Sequence, residues 1–88
     1  MEPKILAEIG EFRKNSSEKV MIRFVEYQPG KIFLDTRVYC DISDSDTPDW
    51  KATRKGFSIN LELVEELKKG IDNAQTRIDQ GEIRPAKQ

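Results

Sequence analysis

Through the first half of the chain apolar and polar side chains alternate, and through the second half the apolar ones recur at helical spacing. The clearest alternation predicts a strand over Val20–Tyr27. Val20, Ile22 and Phe24 share one face of it, and Met21, Arg23, Val25 and Tyr27 share the other. Pro29-Gly30 is a turn signal. A longer strand follows over Lys31–Ile42, with Ile32, Leu34, Thr36, Val38 and Cys40 on one face and Lys31, Phe33, Asp35, Arg37 and Tyr39 on the opposite one. These two segments make a hairpin. Glu8–Lys14 is a weaker strand, out of phase around Gly10 as at a β-bulge. A polar loop rich in Asp and Ser spans Asp41–Asp49, and the last strand is predicted over Trp50–Ile59.

Leu61, Val64, Leu67, Ile71, Ala74 and Ile78, with Leu63 beside them, form the apolar stripe of a helix predicted from Leu61 to Ile78. Asn60 is its expected N-cap, and Glu62, Glu65 and Glu66 suit the positive end of its dipole. Gly70 weakens the helix by about 1 kcal/mol relative to Ala. The stripe either covers the sheet as a core helix or, in its second half, reaches a partner subunit. Residues from Glu82 onward carry little apolar content and are expected to fray. The expected organisation is one domain over residues 1–80 and a frayed tail over 81–88.

With 88 residues, the core cannot be generous, and a chain of this size often gains core by dimerising. The net charge of −1 confines any polyanion site to a local patch. Cys40 is the only cysteine, so no internal disulfide forms, which fits a reducing, cytoplasmic setting. Its role is a structural or interface thiol or a reactive one, and no His is present to activate it. No apolar run approaches the roughly 18 residues of a membrane span.

The composition removes most chemistries. Without His and with one Cys there is no zinc-finger spacing, no Cys–His nucleophile and no Ser-His-Asp set. Asp41, Asp44, Asp46 and Asp49 resemble a calcium loop in composition only, lacking the central Gly and terminal Glu of an EF-hand. No Gly-rich phosphate loop is present. The expectation is a protein that is not an enzyme and needs no cofactor or metal.

One strand face interleaves cations with rings. Arg23, Val25 and Tyr27 would lie near Phe33, Arg37 and Tyr39, and Lys14, Lys19, Lys31, Lys51, Arg54 and Lys55 extend the patch. Cations neutralise phosphates, and rings stack on bases that a duplex would hide. The other reading is a solvated sheet face held by cross-strand pairs.

Three segments, in this order before a matching helix, carry a family resemblance. They are Ile9-Gly10-Glu11-Phe12, Pro29-Gly30-Lys31-Ile32-Phe33-Leu34-Asp35-Thr36-Arg37-Val38-Tyr39 and Arg54-Lys55-Gly56-Phe57-Ser58-Ile59-Asn60. Together the chain resembles a short, bacterial-type member of the transcriptional positive coactivator p15 (positive cofactor four) family, over roughly residues 8 to 75. The resemblance implies an α+β fold of four antiparallel strands and one C-terminal helix (ββββα). It also implies a homodimer that binds single-stranded DNA with little sequence preference and acts in transcription, with transcription machinery as a partner.

Carried over by position, the base-stacking aromatic is Tyr27, the cation after the turn is Lys31, the strand arginine is Arg37, and Lys51, Arg54 and Lys55 are the cations of the last strand. Cys40 stands where eukaryotic members have a stacking Trp, and Glu11 stands for a lysine, which shifts the expected site toward Arg13, Lys14 and Tyr39. Arg23 completes the expected nucleic-acid site. Leu67, Ile71, Ala74 and Ile78 are the expected dimer contacts. A dimeric protein-interaction module and an RNA-binding protein are the alternatives. No membrane partner is expected.

Overall fold

The computed structural model of the protein describes residues 3–83. Four antiparallel strands, β1 (Lys4–Arg13), β2 (Glu18–Gln28), β3 (Lys31–Asp41) and β4 (Trp50–Asn60), lie in the order β1-β2-β3-β4. A 3-10 turn at Leu61–Leu63 leads into α1 (Val64–Asp79). This is the expected ββββα chain. Strands β1 and β2 are longer than the alternation alone indicates, because pairing with a neighbour continues the ladder through Lys4, Ile5, Glu18 and Lys19.

Register divides the side chains between two faces. Met21 faces Arg37, Arg23 faces Asp35 and Val25 faces Phe33, so these six share one face. Val20 and Val38, Ile22 and Thr36, and Phe24 and Leu34 share the other. Strand β4 joins the second set through Ile59 opposite Leu34 and Phe57 opposite Thr36. The expected bulge near Gly10 is present, between Glu8 and Gly10, and a second one lies between Ile5 and Ala7.

Gly30 has φ 82°, the conformation of the third residue of a type II turn after Pro29. Tyr27 is the extra residue of a bulge beside that turn. Gly56 is required twice over. Its φ of 133° is hostile to L side chains, and a Cβ there would collide with the Thr36 carbonyl oxygen and lie 2.9 Å from Arg37 Cα. The β3–β4 pairing thus depends on a missing side chain.

The start of the helix differs from the sequence expectation. Asn60 precedes the 3-10 turn with extended backbone, and its side chain makes no capping bond. Leu63, already helical in φ and ψ, precedes α1. The tighter turn occupies the three positions read as helix, so the Asn60 side chain is too early to reach the N–H groups of α1. The other end is tied more firmly than expected. The Gly81 amide donates to Ile78 O and that of Glu82 to Arg77 O, with Gly81 at φ 77°. This is a Schellman closure. Arg77 also pairs with Glu82 at 2.7 Å. Of the expected frayed tail, Gly81 and Glu82 are therefore held, and residues 84–88 lie outside the described ones.

The helix does not cover the sheet. No residue of α1 is buried, and the 3-10 turn before it packs on β3. Val64 and Leu67 are half-buried, while Ile71 is 59% exposed. The core is accordingly small, with Met21, Val25 and Val38 as its buried apolar members.

Gly56→Ala is expected to cost about 2–4 kcal/mol, through strain at positive φ and collision with β3. Gly10→Ala, with open space at its Cβ, is expected to be neutral or mildly stabilising. Urea denaturation of both variants checks this, and equal midpoints would contradict the close approach.

Candidate nucleic-acid interface

The face shared by Arg23, Val25, Asp35 and Arg37 carries an array of rings and cations. At one end the Tyr27 and Phe33 rings meet edge to face, with centroids 5.5 Å apart. The bulge re-aims Tyr27 toward this pairing. In the middle, Arg23 Nη1 donates to Tyr39 Oη at 2.7 Å, and its guanidinium carbon lies 5.0 Å from that ring's centroid. At the far end, Arg13 and Lys19 stand 4.9 and 4.6 Å from the Trp50 ring centroid. Phe33 and Asp41, the partner of Trp50, mark the ends of the array on β3, roughly 27 Å apart at the rise of an antiparallel strand.

Asp35 sits in the middle and is 8% exposed. Its Oδ1 accepts from Arg37 Nη2 at 2.9 Å and from Ser58 Oγ at 2.6 Å. That bond to Asp35, and then its charge, hold the Arg37 guanidinium above its ordinary pKa against the opposing effect of burial. Arg37 Nη1 also reaches Arg54 O at 3.4 Å. Arg37 is therefore clamped between β3 and β4. By contrast, Arg23 pairs with Glu8 at 3.4 Å and Lys19 with Glu11 at 3.2 Å, and both carboxylates are more than half exposed. The carboxylate ends of these pairs are open to water, while the Arg23 and Lys19 side chains are 14% and 15% exposed.

The expected site residues divide between the faces. Arg13, Arg23, Tyr27, Arg37 and Tyr39 come together on the ring-and-cation face. Lys31 lies beside the turn, next to Phe33 and Asn60. Lys55 turns the other way, to Glu18 at 3.4 Å, and Lys14 meets the same carboxylate at 3.7 Å. Glu18 stands opposite Cys40, on the face of Val20 and Val38. Asn15, then Lys14 and Lys55, hold its pKa below the ordinary value. Lys51 is opposite Cys40 as well, and pairs with Asp49 at 3.8 Å. Arg54 lies in the irregular stretch of β4 where the register shifts. Ala52 and Gly56 stand opposite Tyr39 and Arg37 on the ring-bearing side, so plain alternation turns Lys55 to the other face. Cys40, where the resemblance has a stacking ring, faces away from Tyr39.

Trp50, Asp35 and Ser58 are the members that the cation-and-ring pattern left unassigned. Strand alternation already put Phe33 and Asp35 on this face. Trp50 joins it only through the register of β4, across a loop whose length conceals that register.

That loop has its own anchor. Asp41 Oδ1 accepts from the Asp49 and Ser43 amides, both at 3.0 Å, and Ile42 N donates to Asp49 O at 3.0 Å. These bonds, Asp49 first, hold the Asp41 carboxyl below its ordinary pKa. No group of three or more His, Cys, Asp or Glu among the described residues is arranged to hold a metal ion. No helix among them is long and apolar enough to cross a membrane. No family model, curated protein or solved structure matches this chain.

A depressed folded-state pKa contributes stability above the unfolded value, about 3.9, that is lost as pH falls through the folded value. Hydrogen exchange at the Ser43 and Asp49 amides should therefore lose protection below about pH 4. In Asp41→Asn, whose amide oxygen still accepts, protection should stay flat with pH. A parent profile that is flat as well would contradict the role of the Asp41 charge.

Proposed function

We propose that the protein is a homodimer that binds single-stranded DNA without catalysis, through phosphate contacts and base stacking on the face of Arg23, Tyr27, Arg37 and Tyr39. The observation that carries this reading is the array itself: rings at Tyr27–Phe33, Tyr39 and Trp50, with Arg13, Lys19 and Arg23 between or beside them. An inert solvated face needs cross-strand ion pairs, not three aromatic positions in line with them. Splayed bases need such rings. The place of action is the cytoplasm, on strands exposed during transcription, as a member of the p15 coactivator family would act.

Assembly follows from what the monomer leaves uncovered. The radius of gyration is 15.8 Å, against about 12 Å for a compact chain of this length. The accessible surface is 7137 Å², where about 5,300 Å² is expected for a compact chain of this mass. That difference is the size of a stable protein–protein contact. A helix of 16 residues with Gly70 in it is marginal when it rests on nothing. A second copy laid along Leu67, Ile71, Ala74 and Ile78 supplies the missing support.

Phosphate contact is expected from the cations not clamped in the fold: Arg13, Lys19, Arg23, Lys31 and Arg54. Each contact contributes a slope of about −0.7 in log affinity against log salt. Replacing Arg13 and Lys19 together by Gln should flatten the slope by about 1.4, while Lys55→Ala should leave it unchanged. Tyr27→Ala should weaken binding to oligo-dT by roughly ten- to hundredfold at unaltered slope, because a neutral ring releases no counterions. Anisotropy titrations at several salt concentrations read all three. No oligo-dT binding by the parent would sink the reading.

Ile71→Asp is expected to unfold the protein or leave it monomeric with a molten helix, since the charge would lie in the contact between copies. Light scattering and circular dichroism check this. A parent that is a folded monomer at micromolar concentration would overturn the dimer.

A further inference from the structure

The middle of the ring-and-cation face is a depression of about 300 Å³, lined by Arg23, Val25, Tyr27, Asp35, Arg37 and Tyr39 among others. It is at the lower end of the size of small-molecule sites. A buried carboxylate in the centre of a phosphate-binding face is a liability for phosphate and needs a reason. One part is structural: Asp35 Oδ1 takes both the Arg37 and the Ser58 bond. Oδ2 accepts from no side chain or loop amide among the described residues and is not sealed from solvent. Asp35, with this unpartnered acceptor, and the Arg37 that it holds both line the depression, together with Tyr27 and Tyr39.

Resting on the single-strand reading above, we infer that this depression takes one nucleobase and that Asp35 reads its edge. The acceptor Oδ2 calls for a base N–H, and Arg37 beside it calls for a base carbonyl. Guanine offers both, its N1–H and N2–H donors lying next to O6. Adenine and cytosine offer an exocyclic amine that can donate to the carboxylate. Thymine presents its single N3–H between two carbonyl oxygens, so one of them is forced toward the carboxylate. The strand is therefore bound with little preference at most positions and with a preference for guanine, and against thymine, at one. Tyr27 and Tyr39 hold the base in the depression by stacking.

The test uses a labelled oligo-dT and the same strand carrying one central dG, too few guanines to self-associate. The parent protein should bind the dG strand about fivefold or more tightly, within the range of a good hydrogen-bonded base contact. A strand with 1-methylguanine in place of the dG, which lacks the N1–H donor, should fall back to the oligo-dT affinity. That arm needs no protein variant. In Asp35→Asn, checked for its fold by circular dichroism, the ratio of dG-strand to oligo-dT affinity should fall to about one, whatever happens to the affinity for oligo-dT itself. Equal affinity for all three strands would overturn the inference and leave single-strand binding standing. A dG preference that survives 1-methylation or Asp35→Asn would equally overturn it. No binding to any strand would instead bring down the single-strand reading, and this inference with it.

Discussion

The register of β2 against β3 governs both faces of the sheet, because side chains alternate with period two and a slip of one residue exchanges the faces. In the observed register Arg23 stands opposite Asp35 and Met21 opposite Arg37. Several features pin it. Gly30 supplies the positive φ of the turn, its amide donates to Glu26 Oε2 at 3.1 Å, and the bulge at Tyr27 takes up the odd residue. Arg23 also reaches Tyr39 across the pair. A slip would place arginines among Val20, Ile22 and Val38 and bring the apolar set to the ring-bearing side, so both faces enforce the same answer.

Once the register is set, charge sorts itself by burial. Asp35 and Arg37 are the least exposed ion pair of the sheet's ring-bearing face, and a third partner, Ser58 on β4, donates to the same carboxylate oxygen. Breaking such a group is expensive, because a buried unpaired charge remains. The pairs of Lys19 with Glu11 and of Arg23 with Glu8 are open to water at their carboxylate ends. One face thus carries an inner pair that shapes it and cations held against rings whose carboxylate partners lie at the solvent edge. A protein with net charge −1 can in this way still offer positive charge locally.

The sheet and helix do not share a core. Four strands of ten or eleven residues expose two broad faces, and α1 leaves the sheet through a 3-10 turn that directs it away. Exposed Phe12, Phe57, Leu63, Ile71 and Ile78 follow from that departure. These side chains are apolar surface that the fold of one chain leaves uncovered. The same small size that prevents a self-sufficient core leaves the ring-bearing face unencumbered by the helix.

The element order was legible in the sequence, since alternation over Val20–Tyr27 and Lys31–Ile42 and the 3.6-residue stripe from Leu61 to Ile78 are local signals. So was the face shared by Arg23, Tyr27, Phe33, Arg37 and Tyr39, because within one hairpin the Pro29-Gly30 turn determines the pairing. Three things were decided only in three dimensions. Which carboxylate Lys55 meets was one, since Glu18 lies 37 positions earlier in the chain and only the strand order brings the two together. Trp50 reached Lys19 across one intervening strand and Arg13 across two, contacts between sequence-distant residues that no local pattern encodes. The amphipathic stripe specified that α1 must be covered but not by what, because periodicity records the need for a partner surface and carries nothing about which surface meets it.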